Sequence, residues 1–96
     1  YERAAKANGA AFTDASRFYM VPGMLHCRGG NSFDQFDMLS ALVDWVEKGK
    51  APEAITASRT QPKPAERPLC PYPAFAKYAG GNAAKAASFS CTSPTP

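Results

Sequence analysis

The stretch FYMVPGMLHCRGG, residues 18–30, decides how the rest of the chain reads. Four bulky residues, Phe18-Tyr19-Met20-Val21, run into Pro22-Gly23. An apolar run stopped in that way predicts a short strand buried on both faces. The one histidine, His26, then falls on a loop a few residues past the strand's C-terminal end, beside Cys27 and closed by Gly29-Gly30. In open α/β sheets that edge is where ligands bind. An imidazole placed there suits general base work, because its ordinary pKa lies near neutrality. By itself a lone loop histidine also fits an ordinary polar role. A zinc site does not fit: His26 and Cys27 are adjacent rather than spaced, and neither a Cys-x-x-Cys nor a second histidine completes four ligands.

Beyond the loop, Ser32 and Gln35 have capping-box spacing, and Asp34 and Asp37 place negative charge where a helix N-terminus favours it. Phe36, Leu39, Val43 and Val46 recur at helical spacing, and Met38, Leu42 and Trp45 widen that face. Asp37, Ser40, Asp44 and Glu47 make one narrow polar stripe. Lys48 falls in the last turn, Gly49 is the expected C-cap, and Pro52 forbids resumption. The pattern predicts a helix opened by residues 31–35 and ended at Gly49. So wide an apolar face requires cover on most sides, and one short strand with a proline-rich tail does not supply it. The expectation is a piece of something larger, with an obligate oligomer as the alternative. Phe36, Met38 and Trp45 read as packing residues.

Upstream, Tyr1 to Asn8 reads as the last two turns of a helix stopped at Gly9, and Ala10 to Arg17 as a polar connection. Downstream, residues 55–58 predict a short edge strand and residues 61–68 a loop. Arg67 to Pro73 holds too many prolines for a central strand and is expected to run extended along a surface. Ala74 to Tyr78 is expected to make one helical turn, and Thr92 to Pro96 to fray.

The totals bound the answer. Ninety-six residues make one small domain. Eleven Lys and Arg against eight Asp and Glu give a net charge of +3, scattered without a run or stripe, which argues against nucleic-acid binding. No apolar stretch approaches the ~20 residues of a membrane span. Tyr1-Glu2-Arg3 resembles neither a signal peptide nor a natural start. Three cysteines leave one over after any pair forms. Cys70 and Cys91 lie in loop-like contexts, as in a stapled tail. Cys27 is the odd one, either a half-disulfide with a partner outside these residues or a buried free thiol.

The segment Val21-Pro22-Gly23-Met24-Leu25-His26-Cys27 resembles the histidine motif of the tannase and feruloyl esterase family. The likeness continues through Gly29-Gly30, Phe36-Asp37, residues 42–49 and residues 51–55. It resumes at Arg67-Pro68-Leu69-Cys70-Pro71-Tyr72-Pro73 and at residues 87–91. Leu25 departs from the pattern, since many relatives carry a small residue there. The resemblance implies that residues 1–96 are the C-terminal part of an α/β-hydrolase catalytic domain. That part comprises a late strand, the catalytic histidine loop, a C-terminal helix and a disulfide-stapled tail. It implies a secreted or periplasmic serine esterase acting on aromatic esters of phenolic acids. The chain order of such triads, serine then aspartate then histidine, agrees with it. His26 matches the catalytic histidine. Cys27 matches a cysteine that pairs with one just before the nucleophilic serine, and Cys70 and Cys91 match a second disulfide. Serine, aspartate and a lid domain that can hold calcium would lie upstream; no cofactor is expected in this chain. None of Ser16, Ser32, Ser40, Asp14, Asp34, Asp37 or Asp44 matches the missing triad members. Arg28, after the His-Cys pair, reads as an ordinary polar residue, with a substrate-facing role as the alternative. The expected partners are the ester and the remainder of the hydrolase domain, with no nucleic acid and no membrane. The competing reading is a small secreted binding module, stapled by one disulfide and linked to a partner through Cys27.

Overall fold

Glu2–Asn8, rich in Ala, form helix α1 in the computed structural model, which describes residues 1–95. Gly9 ends it at φ 65°, its N–H bonded to the Ala5 carbonyl at 2.9 Å. The next residues are not the polar connection expected: Ala10–Ala15 form a second helix, α2. Gly9 turns the chain and its carbonyl accepts from the N–H groups of Phe12 and Thr13 at 3.1 and 3.4 Å, so a new helix starts on good helix formers. Arg17 then spans back to the Thr13 carbonyl at 2.6 Å and lays its guanidinium over the Trp45 ring at 5.0 Å.

Residues 18–21 run extended, but they are not a strand buried on both faces. Among the described residues their one bridge is Tyr19 to Pro71, with the Tyr72 N–H donating to the Phe18 carbonyl at 2.7 Å. Pro71 and Pro73 have no N–H to offer, so the ladder stops there. Burial alternates: Tyr19 and Val21 pack on the core, while Phe18 and Met20 stay 40% and 60% exposed. The Phe18 ring joins those of Tyr1 and Tyr72, each centroid 5.5 Å away, which fixes α1 to the Pro-rich segment.

Helix α3 is Met38–Lys48 and starts later than its sequence signals suggest. The N-cap is Asp37, whose carboxylate accepts from the Ser40 N–H at 2.9 Å and the Ser40 hydroxyl at 2.6 Å. The Ser32–Gln35 pair is not a capping box. Ser32 turns back to the Gly29 carbonyl, and Gln35 exchanges backbone bonds with Ser58 at 3.1 and 2.8 Å. Gly49 closes α3 in the left-handed conformation, φ 65° and ψ 18°, as expected of a C-cap glycine. None of the residues of α3 is buried; Leu39 and Val46 are 71% and 76% exposed.

Two antiparallel hairpin sheets follow. Strand β1, Ile55–Arg59, pairs with β2, Ala65–Leu69, in the register Ile55 to Leu69 and Arg59 to Ala65. Residues 65–68 are therefore strand rather than loop. Pro68 is tolerated because a two-stranded sheet leaves an edge toward which the missing N–H can face. As expected, β1 is an edge of this two-stranded sheet, although Gln35 bridges its outer side at Ser58 and Ala57 has no exposed surface. Strand β3, Phe75–Tyr78, pairs with β4, Phe89–Thr92, where a helical turn was expected. A disulfide joins Cys70, just past β2, to Cys91 in β4, with Cα atoms 5.6 Å apart. The expected fraying fails at Thr92, which ends β4; Pro96 lies outside the described residues.

The core is small. Ile55, Ala57 and Leu69 form it, with Tyr19, Val21, Phe33, Phe36 and Ala41 packed against it. The Arg67 guanidinium lies between the rings of Phe33 and Phe89, at 4.6 and 4.4 Å, and links the two sheets. The radius of gyration, 14.3 Å, exceeds the about 12.5 Å expected for a close-packed chain of this length.

Candidate active site

The loop that carries His26 begins in a turn dictated by Pro22-Gly23. The Met24 N–H returns to the Val21 carbonyl at 3.3 Å, and Gly23 has φ 75°, the combination of a type II turn with proline at its second position. Met24 then bridges Gly30, and the Leu25 N–H donates to the Gly29 carbonyl at 3.1 Å. His26, Cys27 and Arg28 are thereby left at the tip. The Arg28 N–H reaches the His26 carbonyl at 2.9 Å, while Cys27 has φ 69°. That is a three-residue γ-turn of the strained kind, built around a non-glycine residue.

The neck admits no side chain. A Cβ on Gly23 would lie 2.3 Å from the Asn31 carbonyl oxygen, and one on Gly30 would lie 2.2 Å from that of Gly23. Two side chains hold the descending limb: the Gly29 N–H donates to Asp34 Oδ2 at 2.8 Å, and the Ser32 hydroxyl donates to the Gly29 carbonyl at 2.9 Å. Ser32 is buried. Ahead of the loop, the Tyr19 hydroxyl donates to the Pro52 carbonyl at 3.0 Å. Burial pushes the Tyr19 phenol above its ordinary pKa, and the Arg17 charge opposes this.

The His26 ring is exposed, with Nδ1 facing the Cys27 sulfur at 3.2 Å. Among the described residues Nε2 has no hydrogen-bond partner. The Cys27 thiol is exposed, not buried. Leu25, at 65% exposure, flanks the histidine on the loop. His26, Cys27 and Arg28 therefore share one tip, whereas Cys70 and Cys91 close the tail sheet. An open cleft of about 490 Å³ lies between Val21, Phe33, Arg67 and Phe75, but His26 does not line it. Among the described residues no three His, Cys, Asp or Glu side chains converge as metal ligands. Sequence reasoning missed Ser32 and Asp34, which it assigned to the following helix. The available signal was a Gly-Gly pair followed within five residues by Ser and Asp, side chains that bond to loop backbone.

The family model described as tannase and feruloyl esterase matches residues 2–92. The chain is 46% identical, over 98% of its length, to a mono(2-hydroxyethyl) terephthalate hydrolase of Piscinibacter sakaiensis, of which it covers 16%. It is 37% identical, over 86% of its length, to a probable feruloyl esterase of Arthroderma benhamiae, of which it covers 17%. A crystal structure of an esterase from Aspergillus oryzae superposes with a TM-score of 0.74 at 28% identity, over 96% of this chain and 23% of that one. The chain thus spans about a sixth of the length of these two curated relatives.

Proposed function

Since the chain belongs to the tannase and feruloyl esterase family, whose named relatives are carboxylic ester hydrolases, we propose that it supplies the catalytic histidine, His26, of a serine esterase. The observation that carries this reading is the hairpin tip: an exposed imidazole on a backbone-bonded loop, with Nδ1 partnered locally and Nε2 open.

In this reading residues 1–96 are the C-terminal part of an α/β-hydrolase catalytic domain, and residues 18–21 gain further strand neighbours from the remainder of that domain. The apolar face of α3 packs against it as well. His26 Nε2 takes the proton of an upstream serine hydroxyl as it attacks the ester carbonyl. It gives that proton to the leaving alcohol, and then repeats the cycle with water. An upstream aspartate replaces the Cys27 sulfur as the partner of Nδ1 and holds the tautomer. Cys27 pairs with a cysteine beside that serine and limits how far the loop drifts. The substrates are aromatic esters of phenolic acids or related acids, in keeping with the names of the relatives. The Cys70–Cys91 bond suits a secreted or periplasmic protein, where thiols oxidise.

The test is His26→Ala in the complete enzyme, assayed on a chromogenic ferulate ester. Loss of a triad member is expected to lower turnover by several orders of magnitude with little change in KM. A variant keeping more than a tenth of wild-type turnover would sink the assignment.

A further inference from the structure

Gly29 is the best-held residue of the loop, and two of the three groups that hold it come from outside the hairpin. Its N–H is bonded to the Asp34 carboxylate at 2.8 Å. Its carbonyl accepts from the Ser32 hydroxyl at 2.9 Å and from the Leu25 N–H at 3.1 Å. Leu25 is the residue before His26, so both limbs of the tip meet at this one carbonyl. Among the described residues, the His26 ring itself has only the adjacent Cys27 sulfur as a partner. Where the imidazole stands is therefore set by the loop backbone, and the loop backbone is set at Gly29.

We propose that Asp34 and Ser32 are positioning residues for His26, acting through the two peptide groups of Gly29; this rests on His26 being the general base. The division of labour follows from their chemistry. An ionised carboxylate is a strong acceptor for a backbone N–H, and from its half-buried place Asp34 fixes the direction of the descending limb. The buried Ser32 hydroxyl saturates the carbonyl, so that Gly29 has no reason to turn toward water. Without the carboxylate, Gly29, whose φ of 84° glycine shares with many alternatives, is held only through its carbonyl. The tip then shifts, and a shift of ~1 Å in a reacting group costs on the order of a hundredfold in rate.

The experiment uses the complete enzyme and counts competent nucleophiles with a serine-directed phosphonate ester run to completion, so that misfolded molecules drop out. Asp34→Ala is expected to lower kcat per titrated site by about thirtyfold to a hundredfold while KM stays within about twofold. Asp34→Asn keeps an acceptor oxygen for the Gly29 N–H and is expected to recover most of that loss. Ser32→Ala is expected to fall in between, at about tenfold. If Asp34→Ala gives no titratable enzyme, Ser32→Ala carries the same test. Unchanged kcat per titrated site, or an Asn variant no better than the Ala variant, overturns the proposal. His26→Ala, measured alongside, separates the two readings. An active His26→Ala removes the general base itself. A silent His26→Ala beside a fully active Asp34→Ala removes only the positioning role.

Discussion

The histidine loop and helix α3 are neighbours in sequence and are determined in opposite ways. Between Val21 and Asp34 the backbone is bonded to itself or to side chains at nearly every turn, and two glycines stand where no Cβ fits. Little apolar surface is buried there, yet the conformation is tightly specified. Helix α3 has an N-cap at Asp37, a left-handed cap at Gly49 and good internal residues, so its conformation is equally clear. Its broad apolar face, however, is mostly open, with Leu39 and Val46 largely in solvent. Local bonding specifies a shape in both regions, and in the loop that shape also sets His26 at an exposed tip. The helix's shape leaves its packing partner undetermined.

The strongest way to break the loop is at its neck. Gly30→Ala would set a Cβ 2.2 Å from the Gly23 carbonyl oxygen at φ 81°, so strain and overlap act together. A loss of about 4 kcal/mol is expected, near the upper end for a single substitution. Gly29→Ala is the control. It has a similar φ, 84°, but nothing within 4 Å of the added atom, and about 1 kcal/mol is expected from the backbone alone. Chemical denaturation of both variants checks this. Equal losses would show that the close approach in the neck does not matter.

This contrast also explains what was legible in the sequence. Stops at Gly9 and Gly49 and the strand from Ile55 rest on local chemistry and could be read directly. The start of α3 could not, because Ser32 with Gln35 has capping-box spacing, while Asp37, the actual cap, reads as first-turn charge. Ser32 was claimed instead by Gly29, a partner that only the folded hairpin provides. Phe75-Ala76-Lys77-Tyr78 has the alanine of a helical turn, yet it pairs with Phe89–Thr92 across the disulfide-closed tail. Pairing of this kind overrides weak propensity and leaves no mark within four residues. Residues 18–21 misled for a related reason. A run of four apolar residues does not reveal whether two faces or one is covered, and here Tyr19 and Val21 alone turn inward. At the candidate site, the residue types of His26 and Cys27 left an ordinary polar role open, and it was the family resemblance that pointed to the proposed chemistry. The supports at Ser32 and Asp34 depend on where Gly29 points and so became visible only in three dimensions.

Next in size is the tail staple. Cys70 and Cys91 are 21 residues apart, and with so small a core the tail depends on the link between them. Replacing both with serine is expected to cost about 3 kcal/mol on the chain-entropy account. Differential scanning calorimetry with and without reductant checks it; coincident melting curves would contradict it. The same measurement on Val46→Asp probes the open face of α3. In the 96-residue chain, where Val46 is exposed, a change within about 0.5 kcal/mol is expected. In the complete enzyme, with that face covered as proposed, a loss of about 2 kcal/mol is expected. Similar small effects in both would mean that α3 stays exposed in the whole protein as well.

The smallest expected effect lies at the junction of the two regions, where Asp37 ends the loop connection and begins the helix. Its carboxyl is held below the ordinary value of 3.8, chiefly by the Ser40 hydroxyl and next by the Ser40 N–H. A carboxyl whose pKa is lower folded than unfolded stabilises the fold fully above its unfolded pKa. That contribution is lost as pH falls through the folded value. The cap should therefore weaken below about pH 4 and not between pH 5 and 8. Asp37→Asn retains an oxygen for the Ser40 N–H but has no proton to bind, and asparagine caps helices about as well as aspartate. The variant is expected to fall slightly below the wild type in helical circular dichroism near pH 6, with the gap narrowing as pH drops below about 4. Part of that gap comes from the lost charge at the helix N-terminus, so it should narrow with added salt. Subtracting the two pH profiles removes the other carboxylates, which both proteins share. A flat difference from pH 6 to pH 3 would show that the Asp37 proton plays no part in holding α3 at the base of the loop.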